Sequence, residues 1–137
     1  MLTIHTGSQE PPLAVAVDGE RIVALGSPDE VAAAYPTARV RRWRGRLGPG
    51  LLHEGPLPEA PSARERVHAL LRLGATGARA EHLADPALRA AAHRNNLAVL
   101  DRPPSLERGA RADLAVFAED GSCVATVLAG RLVHRRA

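Results

Sequence analysis

The sequence predicts a mixed α/β fold, with strands at both ends and helices alternating with strands between them. Three observations carry this. Residues 2–47 hold short apolar runs split by a hairpin signal, residues 55–106 hold two capped amphipathic helices, and residues 112–134 return to strands. Neither strand-rich end has enough strands to close a core alone. The segments 2–25 and 38–47 should therefore pair in one body with 112–117 and 123–134.

The first run, "LTIHT", alternates as a strand does. "LAVAVDGERIVAL" places two apolar runs, Leu13 to Val17 and Ile22 to Leu25, around Asp18-Gly19, a strong hairpin signal. Ser27, Pro28 and Glu30 then read as the cap, first and third positions of a short helix that stops before Pro36. "ARVRRWRGRL" alternates again, but Val40 and Trp43 differ in parity, which predicts a bulge or strand end near Trp43. After the Pro-rich "EGPLPEAP", "SARERVHALLRLG" is a helix capped by Ser62, with Glu65 completing a capping box and Gly74 as stop. Its apolar stripe is Val67, Leu70, Leu71 and Leu73. "ATGARA" is a short strand. "DPALRAAAHRNN" is a second helix with Asp85 as cap and Asn95 or Asn96 as stop, and "LAVL" is a buried strand. This rhythm is that of βα units. "ADLAVF" and "CVATVLAGRLVHR" close the chain, the latter turning at Ala129-Gly130.

At 137 residues the chain is one domain, or one domain with a small appendage. Aliphatic residues must fill its core, because Trp43, Tyr35 and Phe117 are the only aromatics. The basic residues are 18 Arg and no Lys, against 15 acidic residues, for a net charge of +3. The acids are interspersed with the Arg, and neither a recognition motif nor a stacking platform accompanies them, so nucleic acid is not the expected partner. Cys123 is alone, which excludes a disulfide framework and a Cys-rich zinc site. The N-terminus lacks the regions of a signal peptide and no apolar run approaches a membrane span, so the expected location is cytoplasmic.

Two separated segments carry a family resemblance. "LAVAVDGERIVALGSPDEVAAAYPTARVRRWRGRLGPGLL" resembles the N-terminal strands of the metal-dependent amidohydrolases, and its "AAYP" helix end resembles the imidazolonepropionase branch. "LERGARADLAVFAEDGSCVATVLAGRLVHR" is similar to the C-terminus of the same family. The resemblance implies that the two ends form a small β-sandwich, the composite domain, from residues 1–54 and 107–137. In the family a catalytic (β/α)8 barrel stands beside it. Such a barrel takes about 250 residues, whereas residues 55–106 number 52. This segment is read as a short αβ insert left from a truncated barrel, and its "LLRLGATGARAEH" resembles an early barrel segment of the family.

The resemblance also locates the loss of the metal site. With Pro49-Gly50-Leu51-Leu52 in register, His53 falls where the family carries Asp or Asn, and its His-x-His pair falls on Gly55 and Leu57. Neither is a metal ligand. The bridging Lys of binuclear members has no counterpart, since the chain has no Lys. No catalytic residue, metal or cofactor is therefore expected from the family.

A rebuilt polar site has candidates in His53, Glu54, His82, Asp85 and His93. His53 and Glu54 sit at the old metal-facing strand end, with a solvated loop as the plainer reading. His82 and His93 are not at the i, i+4 spacing of a helical zinc pair, and Asp85 reads as a helix cap. Arg41, Arg42 and Arg44 are the densest cations and a weak anion-binding candidate; a solvated sheet face is the plainer reading. "GATGARA" follows a helix and lacks the Lys of a phosphate loop. Asp113 reads as structural, fixing the turn into its strand.

The expected function is a non-catalytic, imidazolonepropionase-like domain acting as a binding or interaction module. One alternative is a small hydrolase or deaminase-type enzyme, or an accessory of nitrogen-heterocycle metabolism with a rebuilt site. Another is an Arg-faced anion or nucleic-acid binder. The expected partner is a second copy or another protein, held through residues 57–102. The helices at 62–73 and 86–94 should present apolar faces that a barrel would have covered.

Overall fold

The computed structural model describes residues 2–136. The N-terminal strands are β1 (Leu2–Thr6), β2 (Ala14–Asp18) and β3 (Arg21–Gly26), followed by helix α1 (Pro28–Ala34) and β4 (Arg39–Arg42). Then come β5 (Arg46–Pro49), β6 (Leu51–His53), α2 (Ala63–Arg72), β7 (Ala75–Ala78), a 3-10 turn (Ala80–Leu83), α3 (Pro86–Arg94) and β8 (Ala98–Val99). The chain returns through β9 (Leu114–Phe117), β10 (Cys123–Leu128) and β11 (Arg131–Arg135).

Local chemistry sets the helix ends. Ser27 Oγ accepts from the Glu30 N–H at 3.2 Å, with Pro28 in the first turn. Ser62 Oγ accepts from the Glu65 N–H at 3.2 Å and donates to Glu65 Oε1 at 3.0 Å, so the capping pair closes through the hydroxyl. Gly74 ends α2 at φ +88°, where a Cβ would lie 2.5 Å from Phe117 Cζ. Only glycine meets both demands there.

Three sheets result. The first has the order β3-β2-β1-β4, the second β11-β10-β9-β5, and the third, wholly parallel, β6-β7-β8. The alternating segment around Trp43 is not one strand. β4 pairs with β1 in the first sheet and β5 with β9 in the second, so the chain changes sheets between them. Gly45, at φ +149°, makes the crossing; a Cβ there would sit 2.6 Å from the Phe117 carbonyl oxygen.

Strand alternation stacks the layers. Val15 and Val17 face one way and join Trp43, Leu47, Leu114, Val116, Ala125 and Val127 in a core shared by the first two sheets. Ala14 and Ala16 face the other way and pack with Ile4 under Val31 of α1. The second sheet is also covered on both faces. Leu128 joins the core of the insert, and Thr126 Oγ1 donates to the Leu71 carbonyl at 2.7 Å. The two ends of the chain thus form one sandwich with the insert packed on its outer face. β6 pairs with β7, so the insert's sheet begins at Leu51, ahead of the expected boundary at 55.

One expectation is corrected. Val67, Leu70, Leu71, Leu88, Ala91 and Ala92 are not on open faces; they are buried together in the insert's own core against the second sheet. Leu73 alone of that stripe is exposed, at 51%. The sheet that remains is narrow, but the back of the sandwich supplies the cover a barrel would have given. Among the described residues no helix is long and apolar enough to cross a membrane.

Candidate functional site

In parallel βα units, chemistry gathers at the C-terminal ends of the strands, where the loops converge. Here those ends are His53 on β6, Ala78 on β7 and Val99 on β8. Arg79 follows β7 directly and dominates the rim. Its Nε donates to Glu54 Oε1 at 2.6 Å, its second terminal nitrogen reaches Glu54 Oε2 at 3.4 Å, and its first donates to the Asp101 carbonyl at 3.0 Å. One guanidinium therefore ties together the loops after all three strands. The hydrogen bond from Arg79 holds the Glu54 carboxyl below its usual range, and the charges of Arg79, His53 and His82 add to this. The same bond raises Arg79. Both groups stay charged across the physiological range, so neither is poised to take or give a proton.

The structure brings His53, Glu54 and His82 to this rim and leaves the other two candidates outside it. His53 Nε2 donates to the Pro56 carbonyl at 3.0 Å, which closes the loop behind it. His82 lies in the 3-10 turn. The Asp85 carboxylate is engaged as the cap of α3, accepting from the Leu88 N–H at 3.1 Å. His93 sits in the last turn of α3, about 12 Å along the helix from that cap. Sequence reasoning passed over Arg79; its signal was a lone cation at the C-terminal end of a βα strand.

The metal centre that the resemblance implies does not fit these residues. Leu57, in the register of the second histidine, is 2% exposed and belongs to the insert's core. Gly55 offers no donor side chain. Among the described residues no three His, Cys, Asp or Glu are grouped to hold a metal ion.

The basic surface is also differently built from the run Arg41, Arg42 and Arg44. Those side chains alternate in environment along and just past β4, with Arg41 half-buried and the other two exposed. Arg41 lies in the field of Arg39 and of Arg135 on β11, and the Arg135 guanidinium covers the Trp43 ring at 5.6 Å. The cations therefore form a stripe from the first sheet to the second. Asp113 is structural: it is 6% exposed, both its oxygens lie 2.9 Å from Arg111 Nε, and Oδ1 accepts from the Ala129 N–H at 2.9 Å.

Residues 14–38, which span β2, β3 and α1, match the family model of the bacterial imidazolonepropionase-like composite domain. Over those residues the chain is similar to that composite domain. Its fold is similar to that of E. coli guanine deaminase, with 19% identity, a TM-score of 0.51, and 71% of this chain and 34% of that one covered. Guanine deaminase from Bradyrhizobium japonicum aligns at 16% identity and a TM-score of 0.49, over 72% of this chain and 34% of that one. This chain thus spans about a third of the length of these structures. No curated protein matches the sequence.

Proposed function

We propose that this chain is a non-catalytic member of the amidohydrolase-like proteins that works as a binding or interaction module. The observation that carries the reading is the rim of the parallel sheet. Where the resemblance places a histidine pair there is a core leucine and a glycine, and the strand ends carry the exposed Arg79–Glu54 ion pair. An ion pair that holds Glu54 ionised and Arg79 protonated ties the loops in place and supplies neither a base nor a nucleophile. Fifty-two residues separate the composite halves, too few for a barrel.

The test is elemental analysis of the full chain purified without an affinity tag, with ammonia release from guanine measured after zinc addition. The expected result is no stoichiometric zinc and no turnover. One zinc per chain, lost in His53→Ala, would overturn the reading and favour a rebuilt hydrolase.

The module reading extends to self-association through the insert. Among the described residues the parallel sheet has two unpaired edges, where Leu51 on β6 and Val99 on β8 are exposed at 44% and 57%, and Leu73 at the end of α2 is exposed at 51%. Open edges of this kind are paired or covered in natural proteins, and a second copy presents the same edges.

A further inference from the structure

β11 is the outermost strand of the second sheet, so one of its backbone edges has no strand beside it among the described residues. A groove of about 500 Å³ runs between this strand and α2. Leu71, Leu132, Val133, His68 and His134 line it, and Arg72, Arg131 and Arg135 stand around it. No carboxylate lines the groove, and none of the three arginines forms an ion pair among the described residues. Arg135 also joins this groove to Arg39 and Arg41, the stripe on the first sheet. Arg41 lies in the field of both Arg39 and Arg135, and desolvation first, then those two charges, pull it below its ordinary value.

Like charges gathered this way raise the energy of the folded chain, and an anion relieves them. Three features choose among anions. Arg131 and Arg135 stand at the two ends of β11, about 13 Å apart along the strand, a span that linked charges meet better than one small inorganic anion. No aromatic face is free for base stacking, because Trp43 is 8% exposed and already covered by Arg135. The unpaired edge of β11 offers backbone donors and acceptors in a row, which only another polypeptide satisfies along its length.

We propose that the groove between α2 and β11 docks an extended acidic peptide segment of a partner protein, which pairs with the free edge of β11. Arg131, Val133 and Arg135 are the exposed residues of β11, with a bulge at Val133 that sets Arg131 opposite Leu128 and Arg135 opposite Ala125. A strand paired along the free edge therefore meets an arginine near each of its ends and an apolar residue between them, which an acidic, an apolar and an acidic residue answer. This surface rests on the reading of the chain as a binding module and gives that module its ligand class.

The probe is a capped nine-residue peptide with Glu-Thr-Val-Thr-Glu at its centre, titrated into the full chain. Binding is followed by anisotropy of the labelled peptide and by amide NMR. Saturable binding, weakened by salt, with shifts confined to residues 131–135 and 68–72, is expected. Arg131→Glu and Arg72→Glu, both at exposed positions, should each weaken it about fivefold or more, whereas Arg94→Glu on α3 should leave it unchanged. Four outcomes would overturn the proposal: no binding at millimolar peptide; equal binding of a Lys-Thr-Val-Thr-Lys control; capture of oligothymidylate in place of the peptide; or β11 amides already protected by a second copy of the chain. None of these bears on the zinc and turnover assays, so failure here and failure of the non-catalytic reading are told apart.

Discussion

His5 shows how a single side chain couples this fold to pH. It is 3% exposed near the end of β1, its Nδ1 accepts the Trp43 indole N–H at 3.2 Å, and the rings stack. Burial first, and Arg41 second, lower its pKa to about 4 from 6.5. The unfolded chain thus binds a proton that the folded chain refuses. The contribution is complete above about pH 6.5, declines as the pH falls, and is lost by about pH 4. A shift of this size corresponds to about 3 kcal/mol. Urea unfolding followed by Trp43 fluorescence should show that slope, and His5→Gln, which keeps an acceptor, should flatten it. An unchanged slope in the variant would refute the assignment. His5 was one of six histidines in the sequence, and nothing local marked it, because its environment comes from Trp43 and from strands far along the chain. Arg79 escaped for a related reason: its meaning depends on three loops meeting. Gly55 and Leu57, by contrast, could be read directly, because the absence of a ligand needs no tertiary context.

Elements were more legible than contacts. Ser27, Ser62 and Asp85 fix three helix starts within a turn of sequence, so the helices follow from local chemistry. What α2 packs against does not, since its stripe meets Leu128 and Thr126 from a strand more than fifty residues on. Leu71 is therefore a stability position. Leu71→Asp should cost about 3 kcal/mol or more by burying an unpaired carboxylate in the insert core, and loss of helical signal in circular dichroism checks it. Dissociation of an intact dimer, with stability unchanged, would contradict this placement. Similarly, the break near Trp43 was legible from parity, but its role as a crossing between sheets depended on Gly45 lying against the Phe117 backbone.

At the scale of the molecule, the pairing of the two chain ends could be anticipated because neither half had strands enough. The retained cover over the insert could not, since it required knowing that the second sheet has an apolar back face. Three exposed apolar residues of the insert, Leu51, Leu73 and Val99, set the last prediction. In sedimentation at micromolar concentration the chain should run as a dimer, and Val99→Asp should shift it to monomer without moving its thermal midpoint. A wild-type monomer would end the self-association proposal and leave the groove at β11 as the candidate contact. The crossing of β5 onto β9 has a further effect in time. A ribosome releases β1 to β5 first, with Val15, Val17, Leu47 and Trp43 still without their partners. Those partners, Leu114 to Val127, emerge after the whole insert has had the opportunity to close on itself. The nascent chain therefore carries an uncovered sheet while the insert is made, and a ribosome stalled within the insert would hold a sticky half-sandwich that only β9 and β10 can seal.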